Sequence, residues 1–117
     1  MKLSEIQNIL DATVLTGEDQ FDRNVVGAGG ADLMADVLSA VAKDAVLLTG
    51  LTTEQVLRTA KVADVAAVVF VRGKRPDAPV IELARFYELP CMLTKYSLFV
   101  ASGRLYVNGL RGLDGSW

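Results

Sequence analysis

The chain has 117 residues, 51% hydrophobic and 22% charged, enough apolar material for one globular domain and too much for a disordered segment. A net charge of −2 gives no general attraction to nucleic acid or to an anionic membrane, so neither is an expected partner. Histidine is absent and Cys91 is the single cysteine, which excludes Ser/His and Cys/His relays, an intrachain disulfide and a thiolate metal cluster.

The first segment, MKLSEIQNIL, is polar and amphipathic, unlike a signal peptide. The apolar runs, such as residues 65–71, are too short to span a bilayer. A cytoplasmic location is the expectation. Ser4 and Gln7 have capping-box spacing and open a short helix with Ile6, Ile9 and Leu10 inward. Residues 12–15 form a short strand, followed by the polar loop GEDQFDRN and a second strand at 25–28. Leu33, Met34, Val37, Leu38 and Val41 then mark one face of a helix.

Residues 45–49 (AVLLT) are apolar without alternation, as in a strand covered on both faces, and end at Gly50. Thr52 and Gln55 make a second capping box, with Val56, Leu57, Ala60 and Ala63 as the buried stripe. Residues 66–71 (AAVVFV) repeat the buried-strand pattern. RGKRPDAP is a loop whose Pro79 suits a first helical turn, and Val80, Leu83, Ala84 and Tyr87 face inward after it. Pro90 stops that helix, Cys91–Leu93 is a short strand with Cys91 as a packing residue, and a last helix starts near Ser97.

Strands alternating with helices predict an α/β fold: a single domain with a largely parallel sheet of about five strands and helices on both faces. The domain is expected to span residues 1–108. Residues 109–117 (GLRGLDGSW), with three glycines in nine positions, are expected to be a flexible tail.

The glycine cluster in VVGAGGADLM suggests a phosphate grip. Gly27 and Gly29 fit the first two positions of G-x-G-x-x-G, but Asp32 stands at the third and no G-K-[ST] follows. Gly27, Gly29 and Gly30 are therefore expected in a tight strand-to-helix turn on the ligand edge. Asp32 is read as an N-cap or first-turn acid.

The loop Arg72-Gly73-Lys74-Arg75 is a sharper candidate, because ligands of open α/β sheets bind at the carboxyl ends of strands. Guanidinium groups there can hold a carboxylate or phosphate through two parallel hydrogen bonds. The alternative is a solvated loop or ion pairs with a partner subunit. Thr49-Gly50 and Thr94-Lys95-Tyr96-Ser97 close two other strands, where exposed helix amides suit an anion or serve ordinary capping. Glu18, Asp19, Asp22 and Asp44 share no spacing that would make a metal pair, and no cofactor is implied.

The order of these pieces resembles the DRTGG domain family over roughly residues 1–105. Its D-R-x-V segment running into V-G-A is matched by Asp22-Arg23-Asn24-Val25-Val26-Gly27-Ala28. Its apolar strand with a glycine turn is matched by Leu47-Leu48-Thr49-Gly50, and its T-G-G-like turn by Val71-Arg72-Gly73, with Pro76 and Glu82-Leu83-Ala84 following. Its closing T-x-Y-D-T-F-like turn corresponds to Thr94-Lys95-Tyr96-Ser97-Leu98-Phe99, preceded by Pro90. Leu51-Thr52 replace an acidic-basic pair, Val71 and Arg72 the first two residues of T-G-G, and Ser97 and Leu98 the Asp and Thr of the closing turn.

The resemblance implies a regulatory or dimerising module. Such domains are often attached to phosphotransacetylases or CBS-containing proteins, are similar in fold to the non-catalytic N-terminal domain of HPr kinase, and also stand alone near iron-hydrogenase genes. It supplies no catalytic residues. The expected function is a non-enzymatic homodimer that binds a partner protein and a small anionic effector, with a link to hydrogenase or redox-enzyme assembly. The alternative is a small enzyme or sensor acting on a phosphorylated or acyl ligand at the strand carboxyl ends.

Overall fold

The computed structural model describes residues 1–33, 35 and 43–112. In chain order these form α1 (Leu3–Ile9), β1 (Thr13–Thr16), a 3-10 turn (Glu18–Gln20), β2 (Ala28–Gly30) and β3 (Val46–Thr49). Then follow α2 (Glu54–Ala63), β4 (Ala67–Phe70), α3 (Ala78–Phe86), β5 (Cys91–Leu93) and α4 (Leu98–Val107). The sheet has the order β1-β5-β4-β3-β2. Strands β2 to β5 are parallel, and β1 lies antiparallel on β5 with a register shift between Val14 and Thr16. The expected α/β domain with a mostly parallel five-stranded sheet is the observed one.

The apolar strands divide their side chains between two cores. Leu47, Val68, Phe70 and Cys91 pack with Val56, Leu57 and Ala60 of α2 and Val80 and Ala84 of α3. Val46, Leu48, Val69, Val71 and Met92 pack on the other face with Leu3, Ile6 and Leu10 of the α1 segment and Ala101 and Leu105 of α4. Each Val, Leu, Ile, Phe or Met among them contributes about 1.5–3 kcal/mol on leaving water, which is why β3 and β4 show no polar alternation.

Three local expectations are corrected. The helix at the N-terminus begins at Leu3 with Lys2 as its cap, and Glu5 rather than Gln7 reaches back, accepting from the Lys2 amide at 3.1 Å. Burial of Leu3 draws the helix start forward, and the Leu3 and Ser4 amides donate to the Arg23 and Phe21 carbonyls of the returning loop. Thr53, not Thr52, caps α2. The strand expected at 25–28 is instead β2 at Ala28–Gly30, so Gly29 and Gly30 are rungs of the sheet and not its turn. The Val25 and Val26 amides donate to Met1 and Asp44 carbonyls, outside the ladder with β3. The helical face expected from Leu33 to Val41 lies mostly outside the described residues.

Of the expected tail, residues 109–112 pack on the domain. Leu110 is buried, and the Ala28 amide on the outer side of β2 donates to the Arg111 carbonyl at 3.0 Å. The Arg111 guanidinium stacks 4.1 Å from the centre of the Tyr106 ring.

Candidate functional site

Because β2 to β5 run parallel, their carboxyl ends share one edge, where Asp32, Thr49-Gly50, Arg72-Gly73 and Thr94 emerge. Helices α2, α3 and α4 begin on this edge, so their amide ends also face it. At its centre the Gly50 amide donates to Asp32 Oδ1 at 2.7 Å, and Thr49 Oγ1 donates to the same oxygen at 3.1 Å. The Thr49 hydroxyl also accepts from the Leu51 amide at 3.2 Å, which leaves its proton for Asp32.

Arg72 and Gly73 turn the chain off β4 with φ of 61° and 65°, two successive left-handed residues. The Arg72 amide donates to Tyr96 O at 2.8 Å and the Gly73 amide to Thr94 O at 2.9 Å, fixing the turn against the end of β5. A non-glycine residue in this conformation carries a penalty of roughly 1–2 kcal/mol. The turn throws the Arg72 guanidinium across the edge onto Gly50: a β-carbon there would come 2.9 Å from Arg72 Nη2. Among the described residues Arg72 forms no ion pair.

Thr49, Gly50 and Arg72 are thus brought together, with Gly73 adjoining. The remaining sequence candidates take other places. Gly27 is buried at the opposite, amino end of β2, where its carbonyl accepts from the Val46 amide at 2.9 Å. Gly29 and Gly30 line a cleft of about 190 Å³ beside α4, and a β-carbon at Gly30 would meet the end of the Leu98 side chain, Cδ1, at 2.9 Å. The Thr94 hydroxyl is a strut, donating to Leu10 O at 2.7 Å. Lys95 is exposed and, with Gly73 and Asp11, lines a cleft of about 410 Å³. Ser97 caps α4, accepting from the Val100 amide at 3.2 Å. Lys74 and Arg75 are exposed in the loop before α3.

Asp32 was legible in the sequence only as a helix-capping acid; its bonds across to β3 carry no sequence signal. A further cleft of about 490 Å³ opens at the amino edge, between Glu18, Arg23, Lys61, Arg85 and Tyr87. Part of its charge is met internally: Arg85 pairs with Glu18 at 3.4 Å, Arg23 with Asp44 at 2.7 Å, and the Lys61 ammonium lies 6.0 Å from the centre of the Tyr87 ring. A backbone hydrogen bond, helped by Arg85, holds the Glu18 carboxyl below its ordinary range. Burial pushes the Cys91 thiol up to about 11 against a weaker opposing hydrogen bond from Thr16, so it is no nucleophile. Among the described residues no group of acids or cysteine could hold a metal ion, and no helix is long and apolar enough to cross a membrane.

A family model, the DRTGG domain, matches residues 5–106. The chain belongs to the DRTGG domain family. Among solved structures, this DRTGG domain is similar to the CBS and DRTGG domains of the regulatory region of Clostridium perfringens pyrophosphatase, determined in complex with its activator diadenosine tetraphosphate. The TM-score is 0.75 at 19% identity, a likeness of fold. The match covers 94% of this chain and 47% of that chain, so it spans about half the length of its neighbour. No curated protein matches it in sequence.

Proposed function

We propose that this DRTGG domain is a non-catalytic regulatory module that binds a small anionic effector at the carboxyl edge of its sheet and acts on a partner protein. The observation that carries this reading is Arg72, held in a left-handed conformation with its guanidinium across Gly50 and beside the Thr49 and Gly50 donors. Side chains kept in costly conformations concentrate at ligand sites, and a guanidinium offers a carboxylate or phosphate a planar pair of donors. That the similar pyrophosphatase region takes a phosphate-rich activator agrees with an anionic effector. The family resemblance alone supports a hydrogenase or redox-enzyme assembly as the partner.

The homodimer of this reading uses the outer face of α4. Phe99, Val100 and Val107 are exposed there, at 87%, 41% and 80%, around Gly103, which has open space before it. Position 103 is midway between 99 and 107, so a two-fold axis through Gly103 sets Phe99 of one copy against Val107 of the other. The single charge of the helix, Arg104, is turned away to donate to Ile9 O at 2.9 Å.

The effector reading is tested by calorimetric titration of ATP and inorganic tripolyphosphate into the wild-type chain and into Arg72→Glu/Arg75→Glu. Binding is expected in the first and loss of it in the second, with an unchanged fold by circular dichroism. Equal binding by the double variant removes the basic loop from the site.

A further inference from the structure

The two donors at the end of β3 converge on a single oxygen. Gly50 N–H and Thr49 Oγ–H both reach Asp32 Oδ1, at 2.7 and 3.1 Å, and the Leu51 amide, by donating to the same hydroxyl, leaves its proton to be given outward. This is how proteins receive one oxygen of an anion, and here the anion is the chain's own carboxylate. The Arg72 guanidinium stands over the same glycine, yet it forms no ion pair with Asp32.

We infer that Thr49, Gly50 and Arg72 form a receptor for a phosphoryl group in which Asp32 is a resident competitor, so that a phosphate-bearing effector binds by displacing the Asp32 carboxylate. The inference rests on the effector reading above and adds the position of the anion and the group it must remove. A phosphoryl group has three terminal oxygens: one takes the place of Asp32 Oδ1 and two remain for the planar guanidinium fork. A carboxylate has one oxygen fewer. Asp32 and the phosphoryl group cannot both stay, because the two donors serve one oxygen position and like charges side by side repel.

Displacement also has a mechanical consequence. Asp32 follows β2, the three-residue edge strand, and its carboxylate ties the end of that strand to β3. Among the described residues it is joined there by the Gly30–Leu48 rung and the Ala31 amide donating to Leu48 O at 3.0 Å. Taking Asp32 away loosens the edge where effector binding must be felt, giving the module a direct coupling between anion and strand.

The test uses tripolyphosphate as the probe, titrated into the wild-type chain, Asp32→Ala, Asp32→Asn and Arg72→Ala, with affinity from calorimetry and the Gly50 amide followed in 1H–15N spectra. Asp32→Ala should bind about tenfold tighter or more, the gain expected when a competing charged hydrogen bond is removed. Asp32→Asn, which keeps an acceptor without the charge, should fall between and replaces Asp32→Ala if that variant does not fold. Arg72→Ala should lose at least about tenfold. The Gly50 amide should shift on titration.

Wild-type binding with an unmoved Gly50 amide and no gain in either Asp32 variant overturns the inference while leaving the effector reading standing on the rest of the basic loop. No binding by the wild type or by the Asp32 variants overturns both. ATP titrated in parallel separates the sources of the phosphoryl group: affinity equal to tripolyphosphate points to the phosphate chain alone, tighter binding to a nucleotide, and both support the receptor.

Discussion

The Arg72 guanidinium lies on Gly50, so close that a β-carbon at position 50 would stand 2.9 Å from Nη2. The atom it would meet is the far end of a long side chain, so Gly50→Ala moves the guanidinium and spares the backbone. Stability should stay within about 0.5 kcal/mol of wild type. Affinity for tripolyphosphate should fall. A denaturant midpoint beside a calorimetric titration checks both halves.

Arg72→Gly should separate stability from function in the opposite sense. Its φ of 61° is in the region where glycine carries no penalty. The greater freedom of glycine in the unfolded chain offsets part of the relief, leaving a gain of about 1 kcal/mol together with loss of anion binding. A lower denaturant midpoint in this variant would show that the guanidinium holds the Gly50 turn together.

Cys91 gives a pH signature. Burial raises its thiol from 9.0 to about 11 in the folded chain, whereas the unfolded chain ionises at the ordinary value. The unfolded state therefore sheds this proton first as pH rises. The stability that the neutral thiol contributes is whole below pH 9.0 and is lost as pH climbs towards about 11. Urea midpoints of wild type and Cys91→Ala at pH 8 and 10 isolate this contribution from other titrating groups, and the difference between the two proteins should shrink at the higher pH.

Phe99→Glu should turn a dimer into a monomer without unfolding it, since the ring is 87% exposed and touches no core. Sedimentation velocity of both proteins reads this directly. A wild-type monomer at high concentration would remove the α4 face as a self-association surface.

Much of the scaffold was open to reading because burial on both faces leaves a mark in composition. Residues 45–49 and 66–71 carry no polar alternation, and they are the central strands β3 and β4. Ser97 signalled the start of α4 because capping is local chemistry, settled within three residues. The second strand was misplaced for a related reason. Val25 and Val26 have the propensity for a strand, but pairing depends on what lies alongside, and β3 offers its rungs to Ala28, Gly29 and Gly30.

By itself the sequence determined the alternation of strands and helices, the faces that are buried, and the excluded chemistries, because these follow from side-chain type and short spacing. Only the tertiary structure decided which polar groups meet. Asp32 finds Thr49 seventeen positions away, and Arg72 reaches from the end of β4 to Gly50 at the end of the neighbouring β3. Those contacts come from the order of strands in the sheet and from the left-handed turn after β4, and neither is a property of any local stretch of chain.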